Sequence, residues 1–259
     1  MKLRLYYHVY LTDDYGSWAY PFMEQMKLME DTGLYEAFDN VTMTCISQDD
    51  GRLDNFAKLC GTFEKNTTVY AIRNTHADDK SMLSGLNSNV TVTENAMMQY
   101  IYKDCVEQED FKLLYIHTKG ITSIDNHLRT GGASTFKNYH YWRQFLNWGV
   151  IEKWRDCVGA LDTQDISGVN YYSEPTPHFS GNFWWANSSY IKTLPDPATV
   201  EWWKQLQSKT TDSWLKTAPY RFRDELWPCS KEGAKIGIIK TFDTVKNFSF
   251  EIVKRKDYV

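Results

Sequence analysis

The 259-residue sequence has no run of about 18 consecutive apolar residues, the length that a membrane-spanning helix needs. Its opening strand turns acidic at Asp13-Asp14, so we predict no signal peptide and a cytoplasmic protein without a transmembrane segment. The net charge of −4 argues against nucleic-acid binding driven by bulk positive charge. We therefore expect no nucleic-acid partner.

Cysteine is also scarce: the chain has five, an odd number, and they are widely scattered. None stands in a Cys-x-x-Cys pair or in a cluster with histidine, so the pattern predicts neither a disulfide framework nor a structural zinc site. Motifs of three other enzyme classes are missing as well, since the sequence contains no G-x-S-x-G, no Walker A and no G-x-G-x-x-G.

Aromatic residues, in contrast, are plentiful, with 10 tryptophans, 17 tyrosines and 13 phenylalanines. All tryptophans except Trp18 lie after residue 140. The second half of the chain therefore either has a bulky core or presents flat apolar faces to a ligand.

Short β-branched and aromatic runs alternate with amphipathic helices over the first 120 residues or so. Such alternation predicts an α/β protein with a Rossmann-like, mostly parallel sheet flanked by helices. Ligands of such sheets bind beyond the carboxyl ends of the strands. The second half predicts a long helix over 135–161, a strand over 165–171 and a small C-terminal β-containing extension with strands at 235–241 and 248–254. No repeat or linker divides the chain, so we expect one domain over 1–259.

The segment IHTKG directly follows a predicted buried strand. Lys119 offers a positive charge, Thr118 a hydroxyl, and Gly120 close backbone approach, which together suit a phosphate. The alternative is that Lys119 is a solvated loop residue and His117 a core histidine.

The segment HFSGNFWWA combines hydrogen-bonding groups, a glycine and adjacent indoles. Sugars suit this mixture, because their C–H faces stack on indoles while their hydroxyls need fixed polar partners. The alternative is a turn before a buried strand whose tryptophans are core. The candidate sugar-binding residues here are His178, Phe179, Ser180, Gly181, Asn182, Trp184 and Trp185.

In a third segment, RFRDELW, two arginines precede two carboxylates at a predicted helix start. A carboxylate held near arginine stays ionised, which suits a general base. The alternative is an ordinary surface ion pair.

These three segments, in this order, resemble the nucleotide-sugar glycosyltransferases of the GT-A-like type that build polysaccharides in bacteria and large DNA viruses. The resemblance runs from YYHVYLTDD through GLYEAFDNV, YIHTKG and WRQFLNWGVIEKWRDCV to GVNYYSEPTPHFSGNFWWANSSYIKTLP and RFRDELW, and it covers most of residues 5–228. It implies a single GT-A-like domain with a nucleotide-binding half at about 1–120 and an acceptor-binding half at about 121–259. It also implies a nucleotide-sugar donor, with a UDP-sugar favoured and GDP- or dTDP-sugars as alternatives, and an oligosaccharide, glycoprotein or glycolipid acceptor. The expected place of work is the cytoplasm (of the host, for a virus), beside membranes.

The resemblance places donor phosphates at the end of the strand that precedes His117. An Asp-x-Asp motif usually stands there and holds Mn²⁺ or Mg²⁺, but this sequence has His117-Thr118-Lys119. We hypothesise that Lys119, with His117 as a second candidate, replaces the divalent ion. We assign no metal ligands, and a bound Mn²⁺ or Mg²⁺ stays open as the alternative. Further residues that the resemblance assigns to the nucleotide or donor are His8, Tyr10, Leu11, Thr12, Asp13, Arg73, Asn74 and Arg223. The alternative for Arg223 is that it holds the catalytic carboxylate.

The resemblance also implies an inverting reaction with one carboxylate base at the start of the helix in RFRDELW. Glu225 is our first choice for this base and Asp224 the second. Asn170 and Trp227 join the acceptor side, and one tryptophan among Trp184, Trp185 and Trp227 is expected to face a sugar ring. Two alternatives stay open, a non-catalytic sugar-binding module and a nucleotidyltransferase; the acidic LTDDYG after the first strand counts against the second.

Overall fold

The computed structural model describes residues 1–12, 15–63, 65–73, 94–120, 136–218, 222–240, 242, 248 and 251–259. Two of the predicted site residues, Asp13 and Asn74, lie outside these described residues.

The first half of the chain builds a parallel sheet from β1 (Lys2–Tyr10), β2 (Asn40–Ser47), β3 (Thr67–Arg73) and β4 (Phe111–His117). These strands lie in the order β3-β2-β1-β4, so their carboxyl ends share one edge. All residues of β4 are buried, as its continuous apolar sequence predicts for a strand covered on both faces. The Rossmann-like parallel half is confirmed.

The second half extends this sheet through β5 (Ile166–Val169), β8 (Trp184–Asn187) and β9 (Ile236–Lys240). Strand β8 pairs antiparallel with both β4 and β5, while β9 is parallel to β5. The seven-stranded order is β3-β2-β1-β4-β8-β5-β9. A separate two-stranded ladder joins β6 (Tyr171–Tyr172) to β7 (His178–Phe179). The sheet is therefore mixed and mostly parallel, as predicted.

Helices cover both faces. One face carries α1 (Tyr15–Asp31), α2 (Leu34–Ala37), α3 (Asp50–Cys60) and α5 (Phe136–Asn147), and the other carries α4 (Asn95–Glu107), α7 (Ser188–Ile191) and α8 (Glu201–Lys209). Further short helices are α6 (Trp154–Ala160), α9 (Ser213–Thr217) and α10 (Arg223–Leu226). No helix among the residues described is long and apolar enough to cross a membrane.

Two sequence-based boundaries need correction. The helix predicted over 135–161 is interrupted by a π-helical turn, Trp148–Glu152, in which Gly149 lies so near β5 that a Cβ would be 2.3 Å from Val169. The strand predicted over 248–254 is not formed at residues 251–254, which are irregular and lead into a 3₁₀ turn, Arg255–Asp257. Phe248 packs on Phe145 of α5 instead, and Tyr258, beyond the predicted strand, contacts both Phe145 and Trp148 of the π-helical turn. The C-terminal extension contributes β9 as an edge strand of the main sheet.

Candidate active site at the carboxyl edge of the sheet

Two histidines lie opposite one another where β1 and β4 end. His8 and His117 are paired in register, and both are at least nine-tenths buried. The His8 Nδ1 lies 2.7 Å from the Thr44 hydroxyl oxygen on β2. The chain then crosses this edge: the Thr118 N–H donates to the His8 carbonyl, and the Thr118 hydroxyl accepts from the Tyr10 N–H. The segment IHTKG is thus tied to the first strand, as the parallel order requires.

Glu94, immediately before α4, lies beside these histidines. Its Oε2 accepts hydrogen bonds from the Tyr115 hydroxyl at 2.8 Å and from the Asn182 amide at 2.5 Å. Its Oε1 is 3.6 Å from His117 Nδ1, and 27% of the Glu94 side chain remains exposed. Sequence analysis did not select this carboxylate, although an acidic residue at a helix start that follows a strand of the sheet was an available signal.

The turn between β7 and β8 brings the HFSGN segment to the same place. Asn170 and Asn182 both have positive φ, and the Asn170 amide donates to the Ser180 carbonyl at 2.8 Å. The His117 Nε2 lies 3.0 Å from the Gly181 carbonyl oxygen. The Trp184 indole N–H donates to Asn182 Oδ1, which orients the Asn182 amide nitrogen toward Glu94.

The carboxylates of RFRDELW differ sharply in their surroundings. Asp224 is buried, accepts from the Asn95 amide at 2.9 Å and lies 3.4 Å from the Arg223 guanidinium. Glu225 is partly exposed, and its Oε1 accepts from the Gly181 N–H at 2.8 Å. Among the described residues, no group other than the Gly181 N–H donates a hydrogen bond to Glu225. Arg223 is 2% exposed and contacts Asp224, an arrangement that favours its role of holding a carboxylate over contact with a donor phosphate.

The tryptophans of the candidate segments are structural. Trp184, Trp185 and Trp227 are each 0% exposed, and their indole N–H groups donate to Asn182, Val150 and Pro195. This burial contradicts the prediction that one of them faces a sugar ring. The physical reason is that Trp184 and Trp185 point to opposite faces of β8, and both faces are covered by helices. Phe179 is fully buried too, so it contributes packing and no ligand contact.

Lys119 lies at the predicted phosphate position, directly after β4. Its ammonium is 4.3 Å from the centroid of the Trp142 ring, a cation–π contact. Its carbonyl accepts from the buried Arg143 guanidinium at 3.0 Å, and Arg143 also pairs with Glu24 at 2.7 Å. Gly120, with φ 83, completes the turn against Tyr139. The backbone of this turn is therefore held firmly while the Lys119 side chain stays partly exposed.

The other predicted nucleotide residues are dispersed. Leu11 is 2% exposed and part of the core, so its side chain does not reach a nucleotide, whereas Tyr10 is 37% exposed. Thr12 is buried at the same strand end. Arg73 is exposed and forms a 3.1 Å ion pair with Asp50. On the acceptor side, His178 stacks on Tyr172 with ring centroids 5.5 Å apart.

A family model described as "Domain of unknown function (DUF8361)" matches residues 6–231. The chain belongs to the DUF8361 family. The match contains all three candidate segments, so the Glu94–His117–Gly181–Glu225 cluster lies wholly inside the DUF8361 region.

Comparisons beyond this family add little. A search of curated proteins finds no match. Among solved structures, the DUF8361 chain is similar to 4-diphosphocytidyl-2C-methyl-D-erythritol synthase from Anaerococcus prevotii DSM 20548, an enzyme, with a TM-score of 0.42 and 9% identity over 99% of this chain and 92% of that one. A likeness at that TM-score carries no argument about function.

Burial sets the electrostatics of the DUF8361 cluster. It lowers the pKa of His8 to about 4 and, together with the nearby Lys119 ammonium, lowers the pKa of His117 to about 3, so both imidazoles are neutral at pH 7. Because the Gly181 carbonyl can only accept, the His117 proton is on Nε2, and Nδ1 presents its lone pair toward Glu94. Burial raises the pKa of Glu94, against the opposing effect of Lys119.

A divalent metal ion does not fit the residues that follow β4. His117 is engaged with a carbonyl, and Lys119 brings a positive charge to the place where a cation would lie. Within the part of the chain that the structure describes, no group of three or more His, Cys, Asp or Glu side chains is arranged to hold a metal ion. We therefore derive no step through a metal.

We predict that Gly181→Ala destabilises the fold by about 2–5 kcal/mol, because it adds backbone strain and overpacking. Gly181 has φ 97, and a Cβ would lie 2.6 Å from Leu146 Cδ1. Urea unfolding measures the change. The matched control is Gly159→Ala in α6, where a Cβ meets nothing within 4 Å and a small gain is expected. Equal stability of the Gly181→Ala variant and the wild type would contradict the geometry of this turn.

We also predict that acid destabilises the protein between pH 6.5 and pH 4. In the unfolded chain the histidines take up protons below their ordinary pKa of 6.5, whereas folded His8 and His117 do not until about 4 and 3. Each therefore lowers the free energy of unfolding by about 2 kcal/mol at pH 5 relative to pH 7. Glu94, with its raised pKa, offsets part of this loss. A His8→Gln variant should show a shallower pH dependence in urea unfolding; an unchanged slope would refute the assignment.

Proposed function

We propose that the chain is a glycosyltransferase that moves a sugar from a nucleoside diphosphate sugar, with UDP as the favoured nucleotide, to a hydroxyl of a glycan acceptor. One observation carries the proposal. The three segments selected for donor, sugar and base chemistry meet at the carboxyl edge through two short contacts, His117 Nε2 to Gly181 O at 3.0 Å and Gly181 N–H to Glu225 at 2.8 Å. Ligands of open α/β sheets bind at this edge.

The donor diphosphate is assigned to the turn after β4. Lys119 supplies a positive charge, and the Gly120 backbone, with φ 83, permits close approach of an anion. The charge that develops on the leaving diphosphate would be stabilised there without a divalent ion.

The reaction is a single displacement with inversion at the sugar C1. A carboxylate oxygen of Glu225 takes the proton of the acceptor hydroxyl as the hydroxyl oxygen forms a bond to C1. The bond from C1 to the phosphate oxygen breaks, and its electron pair leaves with the diphosphate. Glu225 suits this role better than Asp224, because Asp224 is buried and already bound by Asn95 and Arg223. One base suffices, unlike the two carboxylates of a glycosidase.

Glu94 takes a different role in this proposal. Its carboxylate accepts a hydrogen bond from a hydroxyl of the transferred sugar. Its Oε2 is occupied by Tyr115 and Asn182, while Oε1 receives no hydrogen bond from any described residue. A fixed carboxylate oxygen with one free face recognises a sugar hydroxyl well.

Ligand-dependent thermal unfolding tests the proposal. We expect UDP and UDP-sugars to raise the Tm, since a ligand at 100 times its Kd stabilises by about 2.7 kcal/mol. The Lys119→Ala variant should lose most of the shift. A response to nucleoside triphosphates, with none to nucleoside diphosphates or their sugars, would instead indicate nucleotidyl transfer and overturn the proposal.

A further inference from the structure

A cavity of about 650 Å³ lies on the face of the sheet opposite Glu94. Its volume is within the range of ligand pockets. Side chains at helical i, i+4 spacing line it along α1, so it forms a groove about 24 Å long, which we call the α1 groove. The α1 side chains that line the groove include Tyr15, Ala19, Tyr20, Met23, Glu24 and Leu28.

A buried amide opens into the α1 groove. Asn147 lines it, is 2% exposed, and accepts a hydrogen bond from Gln25 Nε2 through its Oδ1 at 2.9 Å. The orientation of the Gln25 amide is determined, because its Nε2 also donates to the His117 carbonyl, which can only accept. The Asn147 atom that faces Gln25 Nε2 must then be the acceptor, Oδ1. Asn147 therefore presents its Nδ2 to the groove, and no described residue accepts from it. The groove therefore has a preorganised donor for which the described part of the chain supplies no acceptor.

The charges around the α1 groove are already neutralised by one another. This pairing disfavours an ionic occupant, since a charged ligand would have to break an existing pair. The pairs are Glu24–Arg143 at 2.7 Å, Lys27–Asp31 at 2.9 Å and Arg255–Glu152 at 2.5 Å.

Aromatic rings are held open at one end of the groove. Tyr15 is 68% exposed and packs edge-on against Trp18, with ring centroids 4.9 Å apart. Tyr20 is 48% exposed, with the Arg143 guanidinium 5.5 Å from its ring centroid. Rings with one supported face and one free face stack on the C–H faces of sugars.

We propose that the α1 groove binds an uncharged oligosaccharide, extended along the helix, whose oxygen accepts from Asn147 Nδ2. Four features of the groove favour this ligand. They are its length, the mutual pairing of its charges, its exposed tyrosine faces, and the Asn147 amide donor that has no acceptor among the described residues. The site goes beyond the proposed transfer reaction, because neither Glu225 nor Lys119 lines it.

Titration calorimetry tests this with neutral hexasaccharides of glucose, xylose, mannose and galactose, and with hexagalacturonate as the charged comparator. We expect a neutral hexasaccharide to bind the wild type, and Tyr15→Ala and Asn147→Asp each to weaken binding about tenfold. Asn147→Asp keeps the acceptor for Gln25 but removes the donor. Tyr15→Ala alters only an exposed ring and so keeps the test valid should Asn147→Asp fail to fold.

Two controls isolate the groove. Trp214→Ala removes another exposed aromatic ring, 44% exposed on α9, and should bind like the wild type. Glu232→Gln, which alters an exposed carboxylate in the turn before β9, should do so as well. The proposal is overturned by an absence of binding to every neutral hexasaccharide, by tighter binding of hexagalacturonate, or by unchanged binding in Tyr15→Ala. A dimer that Tyr15→Ala dissociates, without sugar binding, would assign the groove to a second copy of the chain.

Discussion

Glu225→Gln is expected to lower the rate of sugar transfer by about 10²–10⁴-fold while nucleotide binding remains unchanged. Glutamine retains an oxygen that accepts from the Gly181 N–H, so the turn at Gly181 should keep its shape. It cannot, however, take a proton from the acceptor hydroxyl. Initial rates of product formation, with Kd for UDP measured in parallel, separate the two effects.

The matched control for this variant is Glu232→Gln, a change at an exposed carboxylate in the turn before β9. It should leave the rate unchanged. Asp224→Asn should instead act mainly on stability, because Asp224 lies buried against Arg223 and Asn95. Near-normal transfer by Glu225→Gln would rule out Glu225 as the base and would leave Glu94 as the candidate carboxylate.

Lys119→Ala should lower transfer by about 10²–10³-fold, the usual effect of removing one group that stabilises charge in the transition state. The wild-type rate should be the same with and without EDTA, since the described residues after β4 do not fit a divalent ion. Initial rates of transfer measure both effects.

Lys204→Ala, which removes an exposed ammonium on α8, is the control for a general loss of positive charge. Two results would contradict the role of Lys119. One is loss of wild-type activity in EDTA that Mn²⁺ restores, and the other is a Lys119→Ala variant as active as Lys204→Ala.

The parallel half of the fold could be predicted because its signals are local. The apolar run of β4 and the helical spacing of Phe22, Met26 and Met29 are visible in single segments, and both are buried as expected. The strand predicted over 248–254 was wrong at residues 251–254 for the opposite reason. Phe248 of this segment packs on Phe145 of α5 and Val253 is buried in the core, and a local pattern cannot reveal that such residues lack a partner strand.

The candidate site was only partly predictable. The place of His117 and Lys119 at a ligand edge follows from strand order, which alternation of elements indicates. Glu94 was missed because its contacts, Tyr115 and Asn182, lie 21 and 88 residues away along the chain. Composition left open whether the tryptophans are core or face a ligand, and it could not decide because the helices that bury Trp184 and Trp185 on both faces of the sheet come from distant parts of the chain. The surplus of aromatic residues in the second half is therefore largely core.

The most direct test of the central claim is to incubate the purified protein with UDP-sugars and neutral oligosaccharide acceptors, and to measure UDP release together with the mass of the acceptor. We predict that a donor and acceptor pair yields equal amounts of UDP and of acceptor enlarged by one sugar, and that Glu225→Gln yields neither. Tight binding of UDP-sugars with no UDP released and no enlarged acceptor for any pair would contradict glycosyl transfer and would leave a sugar-nucleotide binding protein.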